Sequence, residues 1–289
     1  MSGEFHKDIL GLPFASVNDS IYKTMLDIIK ETTPIRFGDV DRSNRLTLGA
    51  AFGYFQEAAI AHADRLGVGF DAFAKIGQGW ILSRISVFME KRPKFGEIVT
   101  VESWPRGWDM LFALRDYAIR DNSGKAIARG RANWLILDIE KRRPLRARDI
   151  MEKLPLNEGV DAFPAGTLNL KPKEGLAKTG ERKAAYSDID FYGHVNNARY
   201  IQWIQDMADP DMLDAADEIR LDINYVSEVL PGETVELWSA PLPALPDAPG
   251  IVRENYPASP EKAFAFEGRR TGAKGIQAVF CAELHLGKD

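Results

Sequence analysis

Apolar positions along this chain keep two periods. Ala51, Phe55, Ala58 and Ala59 are spaced as one stripe of a 3.6-residue helix, and Tyr200, Ile204, Met207 and Ala208 repeat that spacing. Period-two alternation follows: Ile219, Leu221, Ile223 and Tyr225, then Val235 and Leu237 beyond a Gly-Glu turn, predict two strands. "LFALRDYAIRD" and "AIARGRANWLILDI", parted by "NSG", predict a hairpin. "KAFAFEGRR" and "GIQAVFCAELHL" predict the closing strands. "NDSIYKTMLDIIKE", with a cap at Asp19 or Ser20 and apolar Ile21, Met25, Ile28 and Ile29, predicts a short helix near the start.

The pattern occurs twice. "FGDVDRSNRLTLGAAFGYFQEAA" aligns with "YSDIDFYGHVNNARYIQWIQDMA" without a gap, so Asp39-Val40-Asp41 matches Asp188-Ile189-Asp190 at an offset of 149. "SRISVFMEKRPKFGEIVTVESW" likewise matches "LDINYVSEVLPGETVELWSA". Each half therefore reads as a loop, one buried helix and several antiparallel strands that wrap around it, an α+β arrangement. Two halves joined edge to edge extend one sheet and remove an exposed edge. The division expected is an extension over residues 1–33, a first half over 34–150, a Pro- and Gly-rich linker over 151–183 and a second half over 184–289.

Composition narrows the function. Apolar residues make up 45% and charged residues 27%, ordinary for a globular chain, and 37 basic against 42 acidic residues give a net charge of −5. That balance argues against nucleic acid as the main partner. The lone cysteine, Cys281, excludes an intramolecular disulfide; it lies in the closing strand, opposite the face of Phe280, Ala282 and Leu284. His6, His62 and His285 show no metal-ligand spacing. No stretch approaches a membrane span, and the N-terminus lacks a secretory pattern. The expected location is the cytoplasm, or a plastid stroma for a chain whose transit peptide is missing.

The chemistry concentrates in "DIDFYGHVNNARYIQW". A helix starting near Asn196 or Asn197, both good N-caps, leaves first-turn amides without internal acceptors. Such amides suit an oxygen gaining negative charge. Gly193 permits a close backbone approach, and Asp190, a few residues earlier, can face the same carbonyl. Base and oxyanion donors would thus come from one turn: Asp190 with the Gly193, Val195, Asn196 and Asn197 stretch. The first copy carries Asp41, Asn44, Arg45 and Thr47 at the matching places, without Gly-His or the Asn pair, so a single site in the second half is expected. Phe70, Phe73, Ile76 and Trp80 are then candidates to line an apolar pocket in the first half.

These residues resemble the acyl-acyl-carrier-protein (acyl-ACP) thioesterases. In the first half the likeness rests on "YFQEAAIAHADRLGVGF", "GWILSRISVFMEKRPKFGEIVTVESW" and "ANWLILDIEKRRPLR", and in the second on "SDIDFYGHVNNARYIQW" and "INYVSE". The resemblance implies a tandem (double) hotdog fold and hydrolysis of fatty acyl-ACP. It places a catalytic acid at Asp190, the motif histidine at His194 and a further acid at Glu228. Two residues before the histidine the family usually has Asn; here Tyr192 stands there, as a residue facing substrate.

Hydrolysis consumes water, so no cofactor is implied. An acidic carrier protein is the expected partner, with Lys141, Arg142, Arg143, Arg146 and Arg148 as a candidate docking patch. A homodimer is left open. The rival readings are an acyl-CoA thioesterase on the same scaffold, a hotdog dehydratase and a non-catalytic acyl-binding protein.

Overall fold

The computed structural model describes residues 27–157, 159–164, 166–244, 252–272 and 275–288. The first half holds β1 (Ile29–Pro34), α1 (Leu48–Arg65), α2 (Phe70–Ala74), β2 (Gln78–Met89), β3 (Ile98–Asp109), β4 (Phe112–Arg120), β5 (Ala126–Asp138) and β6 (Arg143–Pro144). A short turn of helix, α3 (Arg148–Met151), leads out of it. The second half holds β7 (Ala177–Lys183), α4 (Asn197–Met207), α5 (Pro210–Ala215), β8 (Glu218–Tyr225), β9 (Thr234–Leu242), β10 (Ser259–Gly272) and β11 (Gly275–Lys288).

All strands form one antiparallel sheet in the order β1-β3-β4-β5-β2-β8-β11-β10-β9-β7, with β6 beside β5. The order is the same read inward from either end, strand for equivalent strand. The halves meet where Arg84–Met89 of β2 pair with Ile219–Asn224 of β8. On the helix-facing side of that joint lie buried Ile85, Val87, Leu221 and Ile223; on the other side Ser86 donates to Asp222, which Arg220 Nε also meets at 2.7 Å.

The two long helices form where the periodicity predicts. Thr47 caps α1 by accepting from Ala50 N at 3.1 Å, and Asn196 caps α4 by accepting from Ala198 N at 2.9 Å. Ala51, Phe55, Ala58 and Ala59 are buried against the sheet, as are Tyr200, Ile204 and Ala208, while Met207 is partly buried. The helices touch each other, with Gly49 N donating to Gln205 Oε1 at 2.9 Å.

Both outer strands depart from the expected division. Most of the helix expected around Ile21 and Met25 lies outside the described residues; at its end Ile29 opens β1 instead, paired with Ser103. The first half's sheet therefore begins at Ile29 rather than 34, and the second's at Ala177 rather than 184. Each is an edge strand held by backbone bonds, with almost no apolar face to betray it. The connection between the halves is not a bare crossing either. It straps the outer face of the sheet: Phe163 is fully buried, and Asp161 accepts from Arg106 and Arg131, each at 2.7 Å. On that outer face Cys281 is buried and its thiol is pushed up to about 12, which removes it as a nucleophile.

Candidate functional site

The loop from Tyr186 to Asn196 is built by its own polar groups. Asp188 Oδ2 accepts from Ala185 N at 2.9 Å, and Asp188 O accepts from Asn196 N at 2.9 Å. Asp190 then closes a tight turn: its Oδ1 accepts from Tyr192 N at 3.0 Å, its carbonyl from Gly193 N at 3.0 Å, and its own N–H donates to His194 O at 2.9 Å. Gly193 sits at φ 85, a conformation that side chains resist. Val195 N donates to Val229 O at 2.9 Å, which docks the loop on the segment after β8 and brings Glu228 to the site.

There His194 Nε2 lies 3.3 Å from Glu228 Oε2, both partly open to solvent. Among the described residues no cation pairs with the Asp190 carboxylate, and no side-chain hydrogen bond joins it to His194. The structure thus brings His194 and Glu228 together, and Asp190 shares their loop through its N–H on His194 O. Tyr225 Oη donates to Asn197 O at 3.0 Å and fixes the start of α4. Fewer N–H groups of this stretch are left over than the sequence suggests. The N–H groups of Gly193 and Asn196 are already spent inside the loop and that of Val195 on Val229 O; those of His194 and Asn197 meet no acceptor among the described residues.

The first half contains the same loop in another chemical state. Val40 bridges Leu46 as Ile189 bridges Val195, Leu46 N donates to Pro93 O at 2.8 Å, and Asn44 takes the place of Gly193 at φ 57. Asp41 Oδ1 accepts from Ser43 N at 2.9 Å and from Arg45 N at 3.1 Å. Its other oxygen is held by Arg92, a buried guanidinium that also donates to Leu46 O at 3.0 Å. Arg92 occupies the position that Glu228 has in the second half.

The candidate lining residues divide. Phe73 stacks on Trp80 with centroids 5.0 Å apart, and Trp80 Nε1 donates to Val68 O at 2.7 Å. Phe73 and Ile76 line an open groove of about 890 Å³, with Leu66, Val68 and Leu154 among the walls. Trp80 lies in the apolar cluster behind it, and Phe70 turns the other way, to Phe191 and Tyr192 of the site loop. None of Asp190, His194 and Glu228 lines the groove. Burial, with the Asp190 and Asp64 charges, raises the Tyr192 pKa.

Family models for the acyl-ACP thioesterase N-terminal and C-terminal domains match residues 27–154 and 174–264, in tandem over most of the chain. The chain belongs to the acyl-ACP thioesterase family. It is 23% identical over 217 residues to a chloroplastic acyl-[acyl-carrier-protein] hydrolase of Cuphea viscosissima, covering 70% of this chain and 52% of that one. It is 24% identical over 224 residues to oleoyl-acyl carrier protein thioesterase 1 of Arabidopsis thaliana, covering 72% and 62%. The chain thus spans between half and two thirds of the length of these relatives. The crystal structure of an acyl-ACP thioesterase from Bacteroides thetaiotaomicron shares the fold, with a TM-score of 0.69 at 21% identity, covering 89% of this chain and 97% of that one. The tandem hotdog is therefore the architecture of this family member.

Within this thioesterase-family chain the basic run is partly neutralised. Lys141 pairs with Asp138 and Arg148 with Glu152, whereas Arg142, Arg143 and Arg146 are exposed and carry no ion pair among the described residues. Two neighbours of the candidate site escape a reading of the motif alone. Arg270 donates to Glu228 O at 3.0 Å and to Glu233 Oε2 at 2.8 Å, bracing the turn that carries Glu228. Phe191 joins the ring cluster. Nothing in its local sequence separates Phe191 from an ordinary turn residue.

Proposed function

We propose that this protein hydrolyses fatty acyl-ACP to free fatty acid and holo-ACP. Water attacks the thioester carbonyl, the carbon–sulfur bond breaks, and the products are a carboxylate, a thiol and one proton. Asp190 takes the proton of the attacking water. The N–H groups of His194 and Asn197 receive the oxyanion. His194, held by Glu228, delivers a proton to the departing sulfur. General-base assistance is typically worth about 10²–10⁴-fold, and a single oxyanion donor about 10²–10³-fold, so the site needs both.

The observation that carries this reading is the difference between the two loops. Two homologous aspartates close the same turn, yet only Asp190 is left without a cation, next to a solvent-open His–Glu pair. Family membership gives the substrate class its prior. The chain would work wherever acyl carrier protein is found, in the cytoplasm or a plastid stroma.

Carrier docking falls to Arg142, Arg143 and Arg146, the unpaired members of the basic run, which suit an acidic partner. The test is thiol release from a chain-length panel of acyl-ACP, with matched acyl-CoA. Faster release from acyl-ACP supports the reading. Faster release from acyl-CoA assigns the chain to the coenzyme A reading, and no release from either leaves an acyl-binding protein.

A further inference from the structure

The residue that precedes the Gly-Glu turn is fixed differently in the two halves. Arg92 is fixed by its own side chain, which donates to Leu46 O at 3.0 Å and to Leu213 O at 3.1 Å and pairs with Asp41. Glu228, its counterpart, has no such anchor. Its carboxylate is 64% exposed and reaches His194 Nε2 at 3.3 Å, and among the described residues it makes no other ion pair or hydrogen bond. A long exposed side chain on an unfixed backbone would spend most of its rotamers away from that histidine.

The backbone around Glu228 is tied down on both sides. Val226 N and Ser227 N donate to Val279 O at 2.9 and 3.1 Å, and Val229 O accepts from Val195 N at 2.9 Å. Between these anchors Glu228 N meets no acceptor among the described residues. Glu228 O has one partner, Arg270 Nη1 at 3.0 Å. The same nitrogen meets Glu233 Oε2 at 2.8 Å, an oxygen that also accepts from Leu230 N at 2.9 Å. The guanidinium is thus seated by the acid at the far end of the turn before it touches Glu228.

Arg270 belongs to the second half alone. Arg120 stands opposite Thr100, and Arg269 opposite Glu236; Thr100 and Glu236 lie equally far along the chain from Arg92 and Glu228. One residue on, the first half has Asp121, which closes its own hairpin by accepting from Ser123 N at 2.9 Å and Lys125 N at 3.1 Å. The second half has Arg270, which reaches across to the Glu228 turn instead. Where the first half carries Arg92 and Asp121, the second carries Glu228 and Arg270, two exchanges of opposite sign at two places that meet only in the second half.

We propose that Arg270 is a positioning residue: by holding the Glu228 backbone from β10, it aims the Glu228 carboxylate at His194 Nε2 and leaves that carboxylate free of any structural duty. The proposal rests on the thioesterase reading, in which the His194–Glu228 pair handles the proton of the departing thiol. Arg270 touches neither substrate nor His194. It acts through Glu228 alone, so its effect requires that carboxylate.

The test is a double-variant cycle on the full-length protein with acyl-ACP. Arg270→Leu is expected to lower kcat about tenfold or more, with KM within about twofold of wild type. Arg270→Lys, whose ammonium can meet the same two oxygens, is expected to recover most of the loss. In a Glu228→Gln background Arg270→Leu is expected to cost less than about twofold, because no carboxylate is left to aim. An equal fall in both backgrounds, or none in either, overturns the proposal. Arg270→Gln takes the place of Arg270→Leu if the latter does not fold. The His194 ring signals in a ¹H–¹⁵N spectrum of the free protein, identified by their loss in His194→Gln, need no turnover. They are expected to move in Arg270→Leu in the direction that Glu228→Gln moves them; signals that stay in place or move the other way overturn the proposal. Absence of thiol release by the unmodified protein counts against the thioesterase reading, and the ring signals then decide the positioning role by themselves.

Discussion

Arg92 and Glu228 stand at one point of a duplicated structure, each four residues before the Gly-Glu turn of its half, and they carry opposite charges. Their neighbours diverge accordingly. Beside Arg92, Asp41 is a structural acid fixed by a guanidinium; beside Glu228, Asp190 is left open and a histidine takes the carboxylate's attention. Together with the exchange of Arg45 for His194, that charge reversal leaves the second acid unpaired among the described residues where the first is held by a cation.

Replacing Arg92 by Leu should expose that difference as stability. Asp41 would keep its charge in a largely enclosed place without a cation. Breaking such a pair from one side costs about 3–5 kcal/mol. Combining it with Asp41→Asn should recover most of the loss, because the stranded charge is gone. Chemical-denaturation midpoints of the two variants check this, and turnover per folded molecule should stay at the wild-type level.

Gly193 should tolerate Asn better than Ala. At φ 85 a Cβ costs about 1–2 kcal/mol from backbone strain alone, and nothing lies within 4 Å to add a clash. Asn adopts this region more readily and already fills the equivalent place as Asn44. Thermal unfolding of Gly193→Asn and Gly193→Ala should therefore rank them in that order.

His62 gives the fold an acid limit. It is wholly buried on α1, with Arg115 Nη1 3.2 Å from Nδ1, and Arg65 Nη2 and Asp27 Oδ1 3.0 and 3.5 Å from Nε2. Burial first, and the Arg115 charge second, lower its pKa from 6.5 to about 4, although Asp27 pulls the other way. Because the folded value lies below the unfolded one, the unfolded chain binds the proton first. The contribution is complete above about pH 6.5 and is lost as the pH falls toward 4, on the order of 3 kcal/mol in all. His62→Leu should flatten the pH dependence of the urea midpoint over this window.

Much of this was legible in the residues, and the limits have physical reasons. The helices and inner strands bury one face, so Ala51 to Ala59 and Ile219 to Leu237 announce themselves by period. β1 and β7 do not: "IKETTP" and "AKTGERK" sit at sheet edges where backbone bonds do the holding, and they read as extension and linker. At the site, the cap at Asn196 and the φ of Gly193 follow from residue type. Which amides remain free does not, because Val195 and Asn196 spend theirs on Val229 and Asp188 through a loop closure that no local pattern encodes. Phe70 was expected in the pocket with Phe73. One turn of helix sends the two rings to different places.

The most direct measurement compares two aspartates that one duplication placed in the same turn. Asp190→Asn and Asp41→Asn are each assayed for thiol release from acyl-ACP and for melting temperature. The account predicts that Asp190→Asn loses turnover by about 10²-fold or more at nearly unchanged stability, while Asp41→Asn loses stability and keeps turnover per folded molecule. Undiminished release by the Asp190 variant, or an equal loss of turnover in both, would contradict it.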